Sequence, residues 1–183
     1  MDWTGEEKAM IVQLTAQDLI LAAHYAGLIE GVKSVQVKSH SASNKRISGM
    51  GDFAIQYAGM LGEVAVAKAI GADVQHAITR GGDGKSDLTV DGNTIQVKTS
   101  THKATGKERR LIFNNESDFA TDWAVSCSIQ SASTVEIHGF LSKEKFLKHA
   151  FTDDFGYGVR SCVVESALSP IERFHEALKV TAK

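Results

Sequence analysis

The sequence predicts an α/β (α+β) protein with a mixed central sheet flanked by helices, and three observations carry that prediction. Residues 53–70 place Tyr57, Leu61, Val64 and Ala65 in an apolar stripe at helical spacing. Residues 86–99 alternate apolar and polar side chains on either side of Asp91-Gly92-Asn93, the pattern of a hairpin with turn chemistry at its centre. Helical and strand-like segments then alternate along the rest of the chain, as in one sheet covered by helices.

In chain order, residues 10–14 read as a short strand. Thr15 and Asp18 form a capping box, with Asp in the place usual for Glu or Gln, and start a helix running to about Glu30. Residues 33–49 are polar, basic and serine-rich, and read as an exposed loop. The helix at 53–70 stops at Gly71. A strand at about 74–79 and the loop Gly81-Gly82-Asp83-Gly84 precede the hairpin. Residues 100–110 read as a basic loop, followed by strands at 111–113, 122–129 and 134–141. Ser142 caps a helix at about 143–151, with Asp153-Asp154 as a helix-end or loop pair. Residues 160–166 read as a last strand. Ser169-Pro170-Ile171-Glu172 then supplies cap, first-position proline and third-position acid for a helix to about Lys179.

The 183 residues fit one domain, with 1–50 as an N-terminal helical extension, 53–130 as the core and 131–183 as C-terminal strands and helices. A net charge of −2 denies the chain an overall basic footprint, which counts against a protein that coats nucleic acid but not against an enzyme handling it locally. Cys127 and Cys162 match neither a metal spacing nor a disulfide framework, so a reducing, cytoplasmic setting is expected. No apolar run approaches the roughly 20 residues that span a bilayer. The first residues lack the pattern of a signal peptide, so no membrane association is expected. The seven histidines show no zinc spacing, and Cys127 reads as a core residue. Gly81 to Ser86 lacks the spacing of a phosphate loop and precedes a strand.

The hairpin carries the chemistry. Asp87 opens its first strand. Gln96 and Lys98 lie two apart on the second and so share one face. Glu63 sits mid-helix beside Gly59, Met60, Ala67 and Ile70, either snorkelling to water or turned toward a site. Taken singly, Asp87 fits a turn acid and Lys98 a solvated strand lysine. An acid, an amide oxygen and a lysine together suit a divalent cation and a phosphate.

The order helix Glu63, strand Asp87, then Gln96-x-Lys98 resembles the PD-(D/E)XK nuclease superfamily, with its restriction-endonuclease-like αβββαβ core. The similarity covers roughly residues 53–130. A weaker likeness to small phage-type members extends into Asp122 to Ser126 and Ile137 to Ser142, which places the chain in a bacterial host. The resemblance implies a metal-dependent endonuclease acting on DNA, with catalytic Glu63, Asp87, Gln96 and Lys98. It implies magnesium or manganese held by Asp87, Glu63, Gln96 and the Val97 carbonyl. Lys98 either deprotonates the attacking water or acts as a fixed charge, and the missing carboxylate at 96 favours its deprotonation. Gln96 departs from the usual acid, and an amide is a weaker ligand for a hard cation. A catalytically inactive binding or assembly protein is therefore the alternative. DNA contact is expected from Lys103, Lys107, Arg109 and Arg110, from Lys45 and Arg46, and from Arg80 and Lys85 beside the glycine loop, unless these are merely solvated loops. A homodimer is expected only because many members dimerise to cut two strands.

Overall fold

The computed structural model describes residues 9–35, 51–74, 86–101, 108–156 and 158–181. Strand β1 (Met10–Gln13) leads into helix α1 (Ala16–Val35), followed by α2 (Asp52–Ile70). The hairpin is β2 (Leu88–Val90) and β3 (Asn93–Ser100). Then come β4 (Arg110–Phe113), β5 (Trp123–Ser131), β6 (Thr134–Ser142), α3 (Lys143–His149), β7 (Phe151–Asp154), β8 (Val159–Val164) and α4 (Phe174–Thr181). The α+β class with a mixed sheet is as expected. The expected strand at 74–79 falls mostly outside the described residues.

The predicted capping box forms. The Thr15 amide donates to Asp18 Oδ2 at 2.8 Å and the Asp18 amide to Thr15 Oγ1 at 3.2 Å. Asp18 also pairs with Lys68 of α2 at 2.8 Å, which ties the start of α1 to the end of its antiparallel neighbour. α1 runs five residues past Glu30, because Gly31 is tolerated inside a helix when its neighbours pack. Gly71 ends α2 in the left-handed region, φ 66°. The hairpin turn places both Asp91 (φ 49°) and Gly92 (φ 77°) at positive φ, the combination that matches strand twist.

The expected single sheet is in fact two. Five strands pair in the order β1-β6-β5-β3-β2, and β4-β8-β7 form a second sheet. β3 runs antiparallel to β2 but parallel to β5, with Lys98 opposite Ser126. A parallel neighbour requires a crossover, and here the crossover contributes β4 to the second sheet on its way. Asp153 and Asp154 lie on strand β7, not at a helix end. Their segment pairs with β8 through Phe151–Cys162 and Asp153–Arg160, a long-range pairing that local pattern does not announce. Ser169 caps nothing. Its backbone bridges Phe140 in both directions at 2.9 Å, and a 3₁₀ turn from Ile171 to Arg173 precedes α4.

Two apolar cores result. One joins α1, α2 and α4 to one face of the five-stranded sheet through Ala22, Ala26, Leu61, Val64, Ile95, Val97, Val125 and Phe174. The other, on the opposite face, gathers Leu111, Phe113, Phe119, Leu141, Phe146 and Val163. Among the described residues α2 is the one helix long and apolar enough to cross a membrane, with half of the qualifying stretch buried inside the protein. Met60, Leu61, Val64, Ala65 and Val66 are all buried, so its apolar character is that of a core helix.

Candidate functional site

The site begins just before the first residue of β2. The Asp87 amide donates to the Ile95 carbonyl at 2.9 Å, continuing the hairpin by one residue. One step further along β3 there is no strand to meet the Val97 amide. Asp87 Oδ2 accepts from it instead, at 2.6 Å. Strand N–H groups point in the plane of the sheet, so the carboxylate sits at the sheet's edge. The amide and carbonyl of one strand residue point to the same side, which aims the Val97 carbonyl at this same edge.

Alternation along β3 sorts the remaining residues. Ile95 and Val97 are buried in the α2 core, so Gln96 and Lys98 project from the other face, as expected. Lys98 Nζ lies 4.9 Å from the centroid of the Phe113 ring. Burial depresses the Lys98 ammonium below the ordinary lysine range, opposed by the negative charges of Asp87 and Asp118. Gln96 is half-buried, and its Oε1 atom is buried with no hydrogen-bond partner. An orphaned buried acceptor is costly and calls for an explanation such as an ion.

Glu63 is on α2, which packs tightly on β3. A Cβ on Gly62 would lie 2.0 Å from Thr99 Oγ1 and 2.8 Å from Cys127 Sγ. Thr99 Oγ1 also donates to the Gly59 carbonyl at 3.5 Å. Glu63 is therefore one residue along from the contact between α2 and the strand of Lys98. Burial pushes the Cys127 thiol up to about 12, with the Thr99 hydroxyl opposing and the Glu63 charge adding to the rise. Cys127 is thus a protonated core residue. Because α2 covers the Val97 face, Glu63 and Lys98 belong to opposite sides of β3.

Asp87, Gln96, Lys98 and the Val97 backbone are thus brought together, whereas Glu63 is carried by the helix that covers the opposite face of β3. Among the described residues, no three His, Cys, Asp or Glu side chains gather into a group able to hold a metal. The set resembling a nuclease site supplies two carboxylates and relies on an amide and a carbonyl for its other oxygens. The orphaned Gln96 oxygen fits that role.

The expected DNA-contacting residues fare differently. Lys45, Arg46, Arg80, Lys85, Lys103 and Lys107 lie outside the described residues. Arg109 and Arg110 are described, and both have partners within the protein. Arg109 Nη1 donates to Glu136 Oε2 at 2.7 Å and approaches both His138 ring nitrogens, Nε2 at 2.8 Å. Arg110 pairs with Asp153 and lies over the rings of Phe151 and Phe155.

Two features escaped sequence reasoning. The Phe113 ring reaches Lys98 from the crossover after β3, with no spacing signal to mark it. The second is a polar cluster on the same sheet face, linking Ser128, Gln130, Glu136, His138, Arg109 and Glu165. His138 Nε2 is 2.9 Å from Ser128 Oγ, and Nδ1 is 3.4 Å from Glu165 Oε1. That is the connectivity of a nucleophile, base and acid. However, Ser128 and His138 are each only 2% exposed, and Arg109 faces the ring. The cluster joins the two sheets and is closed to substrate.

No protein-family model matches the chain, and no curated protein matches its sequence.

Proposed function

We propose that the chain is a divalent-metal-dependent endonuclease acting on DNA, built on a restriction-endonuclease-like core. The observation that carries this reading is the meeting of Asp87, the orphaned Gln96 oxygen and the half-buried Lys98 at the open edge of the hairpin. The order of helix, antiparallel hairpin, connection and further strand supports it. Such a site must hold a scissile phosphate, present a water and stabilise charge growing on the phosphorus oxygens. Asp87, the Val97 carbonyl, Gln96 and Glu63 are the residues that would hold magnesium or manganese. Bound there, the metal supplies Lewis acidity and positions the phosphate. Asp87, fixed through the Val97 amide, presents its carboxylate without rearranging. Lys98, drawn toward its neutral form by burial and toward its charged form by two acids, either takes the proton of the attacking water or stabilises the phosphate charge. Incubation with single-stranded, duplex and branched DNA in magnesium or manganese tests the reading. Cleavage should require metal and vanish in Asp87→Ala and Lys98→Ala while both variants stay folded. Failure of the parent on every substrate rejects it.

Gln96 also favours a second reading, a nuclease-fold module that binds nucleic acid or protein without turnover. An amide at 96 leaves the metal one carboxylate short, and Arg109 and Arg110 are turned to internal partners. This reading predicts binding that survives Asp87→Ala.

A further inference from the structure

Lys98 projects from β3 onto a surface that the hairpin does not supply. Phe113 ends β4 of the second sheet, and Lys98 Nζ lies over its ring, 4.9 Å from the centroid. That ring is held from behind. It stacks on Phe119 with centroids 4.8 Å apart and planes 3° from parallel, and Phe146 meets both rings edge-on. None of the three rings is more than 2% exposed. Leu111, Leu141 and Val163 complete the same core.

An ammonium on a four-carbon stem is a flexible charge. The face of an aromatic ring carries negative potential, and a cation within about 6 Å of its centroid is drawn to it. The ammonium feels that attraction and the neutral amine does not. The Phe113 ring therefore opposes the burial that depresses Lys98, as the Asp87 charge also does. A lysine acting as a base gives up the attraction each time it gives up its proton. A lysine acting as a charge keeps it throughout. The five-stranded sheet supplies the lysine, and the core under the second sheet supplies its seat.

We propose that Phe113 is a positioning residue for Lys98: its ring face seats the ammonium and favours the charged form, so that Lys98 serves the site as a fixed charge. The consequence for cleavage rests on the nuclease reading; the seat itself does not. Phe113→Leu removes the ring but also empties core volume and weakens the fold. The decisive variant is therefore Phe113→pentafluorophenylalanine, in which fluorine draws electron density off the ring face while the ring keeps its shape. Two readouts apply to it. The first is an NMR titration of the Lys98 ε-methylene, assigned through Lys98→Arg. In the parent its protons are expected upfield of those of other lysines, shifted by the ring current. In the variant the titration midpoint is expected to fall by about half a pH unit. Protons without the ring-current shift, or an unmoved midpoint, would overturn the proposal. The second is the pH profile of kcat for DNA cleavage in magnesium. A fixed charge is lost on the alkaline side, so that limb is expected to move down by the same amount, with KM little changed. Movement of the acidic limb, as for a base, or an unmoved profile overturns the role. Should the parent protein cut nothing, the nuclease reading falls while the titration of Lys98 still decides whether the ring seats it.

Discussion

Asp87 Oδ2 accepts a hydrogen bond from the Val97 amide at 2.6 Å, at the point where β3 outruns its partner strand. One carboxylate thereby does two things. It satisfies a strand N–H that the short β2 leaves over, and its charge acts on Lys98.

The two roles are separable. Asp87→Ala should cost about 1.5–3 kcal/mol, the range for a hydrogen bond to a charged group. Asp87→Asn keeps an acceptor for the Val97 amide and should retain most of that stability. Both should lose metal-dependent cleavage. Urea unfolding beside a cleavage assay checks this, and equal destabilisation by the two variants would deny the structural role.

Gln96→Glu adds the carboxylate the site lacks. If the parent is active, the variant should reach half-maximal cleavage at about tenfold lower magnesium, the scale on which changes around a metal act. An inert parent made active by this change supports the second reading, the module without turnover. An unaltered magnesium dependence would show that residue 96 does not face the metal.

Gly62→Ala should destabilise by about 1–3 kcal/mol, the range for overpacking. Its new methyl would meet Thr99 Oγ1 and Cys127 Sγ well inside contact distance. α2 must then move away from β3 and carry Glu63 with it, so cleavage should fall as well. Wild-type stability in a denaturant melt would contradict this account of the helix–sheet contact.

Burial holds the His138 imidazole down at about 4, helped by the Arg109 charge and opposed by Glu136. The folded state therefore refuses a proton that the unfolded chain, with its ordinary value near 6.5, accepts. Stability is complete above about pH 6.5 and falls as pH drops toward 4, by up to the order of 3 kcal/mol. Asp18 and Asp122 are also held below the ordinary carboxylate range, by Lys68 and by the Thr94 amide and hydroxyl respectively. Their losses have the same sign but come below about pH 4, so the two windows separate. Thermal melts from pH 8 to 4 should show the early decline in the parent and not in His138→Asn, whose stability is lower throughout.

What the sequence determined is local. The Thr15–Asp18 box, the Gly71 stop, the Asp91–Gly92 turn and the apolar stripe of α2 are each set by a few adjacent residues, and each appears where expected. The shared face of Gln96 and Lys98 follows from strand alternation alone. Other features depended on chain segments far apart in sequence. The split into two sheets rests on β4 leaving the crossover to pair with β8. The engagement of Arg109 rests on Glu136 and His138 of a distant strand, and the placing of the Phe113 ring beside Lys98 rests on aromatic stacking with Phe119 and Phe146. Even Asp87, recognisable as an acid beside a turn, acquired its bond to Val97 only because β2 begins no earlier than Leu88. Periodicity and capping encode what neighbours do to one another. Which edge is left open, and which charge is already paired, is fixed only when the second sheet closes over the first.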